Sequence, residues 1–244
     1  MIRDIVTILW KELKEILYQR GRLRGGWVGL LIIVGVFGVF MPLQSGPEWV
    51  ESPLPLILWS WVPFVLVGGV IADSFAGERE RHTLETLLAS RLSDQTILFG
   101  KIISAIVYGW SLALACALLS LVTINAAYGK GNIIWYPPLT AIAIPIFSFL
   151  IAATASGLGV LISLRSASVR QAQQTFSLAY FLLFVPVFVV PILPEKIKAT
   201  FLTWLVNANF TQIGIAVALI LILVNIGLIS VAMMRFKRNQ LILD

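Results

Sequence analysis

Charge is scarce in this chain. Only 12% of its 244 residues are Asp, Glu, Lys or Arg, against roughly 25% in a water-soluble domain. So few charges cannot cover a solvated surface. With 59% hydrophobic residues and a mean hydropathy of +0.93, the chain reads as an integral membrane protein. Cysteine and histidine are reduced to one each. The lone Cys116 excludes an intrachain disulfide, and one Cys with one His is too few for a Cys/His zinc site. No Ser or Cys nucleophile has a His partner within an apolar run, which argues against an intramembrane Ser-His protease. No G-x-x-x-x-G-K-[ST] run occurs, so the chain has no P-loop; Gly129-Lys130-Gly131 is too short to be one. Ionisable residues are missing from the middle of every apolar run, where an ion-coupled transporter keeps its ligands. The chain is therefore expected to be no enzyme by itself and to bind no cofactor or metal of its own. No cleavable signal peptide is expected from the amphipathic start.

Six runs are long and apolar enough to cross a bilayer, at about 26–43, 54–72, 97–123, 139–164, 176–193 and 211–234. Pro63, Pro145 and Pro186 fall inside them and predict kinks that neighbouring helices can tolerate. Of the 18 basic residues, all but Lys130, Lys196 and Lys198 then lie on one side. That bias puts both termini in the cytoplasm, consistent with an even number of spans. It also assigns the net charge of +6 to a lipid-facing role and not to nucleic acid. Residues 1–25 precede the first span. There Ile2, Ile5, Val6, Leu9, Leu13, Ile16 and Leu17 form a helical stripe, with Arg3, Asp4, Lys11, Glu12 and Glu15 mostly off it. This is an amphipathic helix suited to the membrane interface or to docking a partner. Residues 26–234 form one membrane domain, and 235–244 a basic cytoplasmic tail. The fold class is thus all-α, with six transmembrane helices.

Against this background the stretch GERERHTLETLLASR, Gly77 to Arg91, is unusually charged. Read as a helix, it puts Glu78, Arg81, His82 and Glu85 on one polar face, and Leu84, Leu87 and Leu88 on an apolar edge. Burying one such leucine is worth roughly 1.5–3 kcal/mol. The edge therefore calls for a partner protein or for the chain's own span ends. Glu78, His82 and Glu85 also have metal-ligand spacing, but any charged helix produces it, and no second ligand cluster exists.

Asp73, Gly77-Glu78, Arg81, Thr83-Leu84-Glu85, Leu87-Leu88 and Gly100-Lys101, as a spaced set, resemble the signature of type-two ABC transporter permeases. Trp10–Leu17, WKELKEIL, is similar to that family's opening helix, and Leu158–Gln174 to its second cytoplasmic turn. His82 stands where the family commonly has glycine, and the proline that often follows the leucine pair is missing from Ala89-Ser90-Arg91. The resemblance implies an export-type permease in the plasma (cell inner) membrane, paired with a second permease chain, identical or not. It also implies two separate ATPase subunits that bind ATP and Mg. On this reading the segment between spans two and three is the coupling helix. Glu78, Arg81, His82, Leu84, Glu85, Leu87 and Leu88 dock the ATPase, with Arg165 and Arg170 as a second patch. Phe176, Tyr180, Phe184 and Phe188, at i+4 steps in span five, are candidates to line the pathway. The alternative is a non-transporting membrane scaffold or assembly factor that docks a cytoplasmic partner.

Overall fold

Helices are the regular elements among the described residues, as a chain in lipid requires, because a helix satisfies its own backbone polar groups. The computed structural model describes residues 2–22, 24–52, 54–83, 89, 91–189, 192–195, 197 and 209–236. The elements are α1 (Ile2–Arg22), α2 (Arg24–Gly35), a π-helical turn (Val36–Phe40), α3 (Met41–Ser45) and α4 (Glu48–Glu51). They continue with α5 (Leu54–Glu80), α6 (Asp94–Tyr128), α7 (Pro138–Arg165), α8 (Val169–Val189) and α9 (Phe210–Arg235). Among the described residues, four helical stretches are long and apolar enough to cross a membrane: Val28–Ser45, Asp94–Tyr128, Pro138–Arg165 and Thr211–Arg235. Helices α5 and α8 occupy the positions of the expected second and fifth spans.

Local chemistry sets the helix ends. Ser93 caps α6, its hydroxyl accepting from the Thr96 N–H at 3.3 Å, with Asp94 in the first turn. Ser168 accepts from the Gln171 N–H at 3.3 Å, and the Gln171 side chain accepts from Ala167 N at 2.9 Å, a reciprocal cap that starts α8. Asn209 caps α9 by accepting from Thr211 N at 3.2 Å. The π-turn frees a backbone carbonyl that must be satisfied inside the membrane. Thr123 of α6 does so, donating to Gly38 O at 2.9 Å.

Packing between helices uses small residues, since lipid tails are as apolar as leucine and provide no hydrophobic drive between spans. Helix α7 turns Ala152, Ala155, Ser156 and Gly159 inward, and Ile71 of α5 lies directly on Gly159. One buried cluster joins Ile8, Val67, Ile71, Phe75, Ile97, Leu98 and Val160; a second, nearer the other end, joins Trp49, Val62, Tyr108, Cys116 and Tyr136. The outside is apolar as well: Leu118, Ile142, Leu182 and Leu223 are more than half exposed. That is the surface of a protein whose solvent is lipid. In the middle of α9, Asn225 is buried and donates to Leu150 O of α7 at 3.1 Å.

Two expectations need correction. The helix read over Gly77–Arg91 is not continuous: α5 ends at Glu80, and His82 takes φ 56°. The His82 N–H bonds to Arg79 O at 3.1 Å and the Thr83 N–H to Glu78 O at 2.8 Å. This is a Schellman stop with a left-handed residue in the place that favours glycine. The apolar stripe of α1 is also rotated. Among its described side chains Ile8 and Glu12 are the buried ones, whereas Val6 is 57% exposed. The reason is contact: Ile8 seats on Gly100 of α6, where a Cβ would lie 2.5 Å from its Cγ2.

Candidate functional site

The last turn of α5 and the residue after it tie their charges to neighbouring helices. Glu78 accepts from Lys101 Nζ of α6 at 2.9 Å. Arg79 donates to Ser166 O at 2.8 Å and Leu164 O at 3.0 Å, satisfying carbonyls at the end of α7 that have no helical partner. Glu80 accepts from Val169 N at 3.1 Å, at the start of α8. Arg81 donates to both oxygens of Asp73, at 2.7 and 2.9 Å, and its other nitrogen is 3.8 Å from Glu15 of α1. The hydrogen bond that Arg81 donates to Asp73, helped by the charges of Asp73, Glu15 and Glu78, holds the Arg81 pKa above its ordinary value. Five consecutive residues, Gly77 to Arg81, thus gather α1, α6, α7 and α8 at one point. The glycine is needed there because Asp73 and Arg81 meet over the space its side chain would fill.

At the centre is Lys101, its side chain 1% exposed. Its ammonium has three acceptors: Glu12 Oε1 at 3.1 Å, Glu78 Oε1 at 2.9 Å and Ser74 O at 2.9 Å. The Phe75 ring centroid lies 5.3 Å from Nζ. An ammonium has three protons and all three are used, so the buried cation is fully satisfied. The carboxylates are less so: Glu78 Oε2 is buried with no hydrogen-bond partner among the described residues. One turn earlier in α5, the Ser163 hydroxyl of α7 donates to Ala72 O at 3.0 Å and accepts from Ala76 N at 2.9 Å. It reaches both members of one rung in the α5 ladder, the kind of insertion at which helices bend.

The expected docking residues are therefore divided. Glu78 faces inward to Lys101, contrary to the polar face drawn for it, because α6 passes beside the last turn of α5. Arg81 and His82 are exposed. Leu84, Glu85, Leu87 and Leu88 lie outside the described residues. Arg165 is exposed at the end of α7, and Arg170 in the first turn of α8. Glu78 and His82 do not meet in any group of three metal ligands among the described residues. Of the aromatic residues of α8, Phe176 is buried over Gly68, its ring centroid 5.1 Å from that of Phe64, and Tyr180 stacks on the same Phe64 at 5.5 Å. In the single chain both are packing residues, and Leu178, Phe181 and Leu182 form the exposed face of α8. The side chains of Phe184 and Phe188 lie outside the described residues.

Sequence reading missed Lys101 and Glu12 as partners, and Arg79 and Glu80 as helix ties. One signal was present. Lys101 sits in ILFGKIISAI, apolar on both sides, where an ammonium must find a counter-charge.

Comparison with known proteins follows the same region. Residues 62–204 match the model of a family described as "ABC-2 family transporter protein". The chain is 27% identical over 149 residues to the ABC transporter permease protein NatB of Bacillus subtilis (strain 168). That alignment covers 55% of this chain and 38% of NatB, so the chain spans well under half of that relative's length.

Proposed function

The chain belongs to the ABC-2 transporter family, and from that premise we propose that it is the membrane-spanning permease subunit of an ATP-driven exporter. Helices α5 and α8 cross the bilayer with the four apolar stretches Val28–Ser45, Asp94–Tyr128, Pro138–Arg165 and Thr211–Arg235, giving six spans. Two ATPase subunits sit below, bind ATP and Mg, and supply the energy for which this chain has no P-loop. A second permease chain completes the pathway. Both termini and the segment between α5 and α6 face the cytoplasm, in the plasma membrane.

The observation that carries this reading is the knot at the end of α5. The segment from Arg81 to Ser93 leaves from a turn tied to α1, α6, α7 and α8. Work done on that segment by a closing ATPase dimer reaches every one of those helices through short polar contacts. A loop hung from a single helix end would absorb the same push. Arg81, His82 and the leucine edge Leu84, Leu87 and Leu88 form the ATPase contact, with Glu85, and Arg170 extends it. Glu78 acts from inside as the link to Lys101. Substrate passes along α5 and α8 in the paired assembly, where Phe184 and Phe188 continue the line begun by Phe176 and Tyr180.

The test is Leu87→Asp, read by co-purification with the ATPase and by stimulation of ATP hydrolysis. Losing one buried leucine contact, roughly 1.5–3 kcal/mol, weakens binding about 10- to 150-fold. Undiminished binding and stimulation would refute the assignment.

A further inference from the structure

Where α7 ends, α8 begins and α9 ends, an open pocket of about 380 Å³ lies beside the knot. Leu161, Ile162 and Val231 supply its apolar lining, and Arg165 and Arg235 its basic groups. Both arginines are exposed, and neither has an acidic partner among the described residues. This contrasts with Arg79 and Arg81 nearby, whose guanidinium groups are committed to carbonyls and carboxylates. Two of the polar groups in the lining are also engaged. Ser166 donates to Ile162 O at 2.9 Å, and Gln171 accepts from Ala167 N at 2.9 Å. The two arginines, from different helices, are thus left to face a shared space. The pocket lies at the ends of apolar helices, the level of lipid headgroups, and has an apolar lining for a chain.

We propose that this pocket holds the phosphate headgroup of an anionic membrane lipid, Arg165 and Arg235 on the phosphate and its acyl chain along Leu161, Ile162 and Val231. Basic pockets between spans have the right chemistry for such headgroups, and the planar guanidinium suits phosphate. A soluble phosphate makes no use of the apolar lining, and a neutral lipid makes little use of the arginines.

The experiment is a native mass spectrometry titration of the full chain in detergent with phosphatidylglycerol, with phosphatidylcholine of the same acyl chains, and with inorganic phosphate as competitor. The wild type is expected to retain phosphatidylglycerol in preference to phosphatidylcholine, with millimolar phosphate failing to displace it. The double variant Arg165→Gln with Arg235→Gln is expected to weaken phosphatidylglycerol binding by roughly fivefold per arginine. Val231→Trp, which fills the apolar lining and leaves the arginines, weakens it as well. Equal retention of the two lipids, displacement by phosphate, or unchanged affinity in either variant overturns the proposal. If the arginine variant does not fold, Val231→Trp decides alone.

Discussion

Replacing Lys101 with Met removes one ammonium and little volume. The methionine fits beside Phe75, so the change isolates charge from packing. It strips Glu12, Glu78 and Ser74 O of the donor that each meets within 3.1 Å. The side chains of Glu12 and Glu78 are only 10% and 15% exposed, so water replaces little of what is lost. Breaking a buried pair by removing one partner costs about 3–5 kcal/mol. Against a whole-domain stability of about 5–15 kcal/mol, that is a large loss. The triple variant Lys101→Met, Glu12→Gln, Glu78→Gln removes all three charges together. It is expected to recover most of the stability, because the penalty lies in the orphaned carboxylates and not in the missing attraction. The assay is thermal unfolding of the detergent-solubilised chain, single and triple variants side by side. Two results refute the reasoning: a single variant that costs less than about 1 kcal/mol, or a triple variant no more stable than the single.

Two further outcomes follow from backbone geometry. His82→Gly removes a side chain from a left-handed position at φ 56°. It should stabilise the chain by about 0.5–1 kcal/mol, the αL cost of roughly 1–2 kcal/mol less the extra freedom glycine gains when unfolded. A melting temperature about 2 °C higher is the expected reading, and a lower one contradicts the Schellman stop. Gly100→Val drives a side chain into Ile8, whose Cγ2 lies 2.5 Å from the point a Cβ would take. Overpacking of this kind costs about 1–3 kcal/mol, and hydrogen exchange should quicken over residues 5–16 as α1 lifts from α6. Unchanged protection there would show that α1 is held by something other than this contact.

The membrane class, the positions of the long helices and the family were legible because each depends on bulk quantities or on a spaced set of residues. Length and apolarity place α6, α7 and α9 within a few residues of where the structure has them. What hid was direction. Glu12 looked like part of the wet face of α1 because periodicity ranks faces by polarity, and a buried glutamate inverts that rank. Lys101 reads as one more basic residue on the cytoplasmic side because its partners lie 89 and 23 residues away in sequence. The stop at Glu80 hid behind leucines that continue at helical spacing through Leu88. Nothing but the glycine commonly found at the place of His82 pointed to a left-handed residue, and histidine does not announce one. Tyr180 and Phe176 share a helical stripe, but that stripe alone cannot say whether it meets a pathway or Phe64.

The central claim is that the segment after α5 meets a partner ATPase on one side of the membrane. Ala89, an exposed residue of that segment, and Ile133, 84% exposed between α6 and α7, provide two sites for a thiol. With Cys116→Ala to remove the native thiol, Ala89→Cys and Ile133→Cys can each be treated with a short bifunctional maleimide in cells that express the complex. The account predicts a cross-link between position 89 and the ATPase and none from position 133. A cross-link from 133, or labelling of 89 by an impermeant reagent added outside the cell, contradicts it.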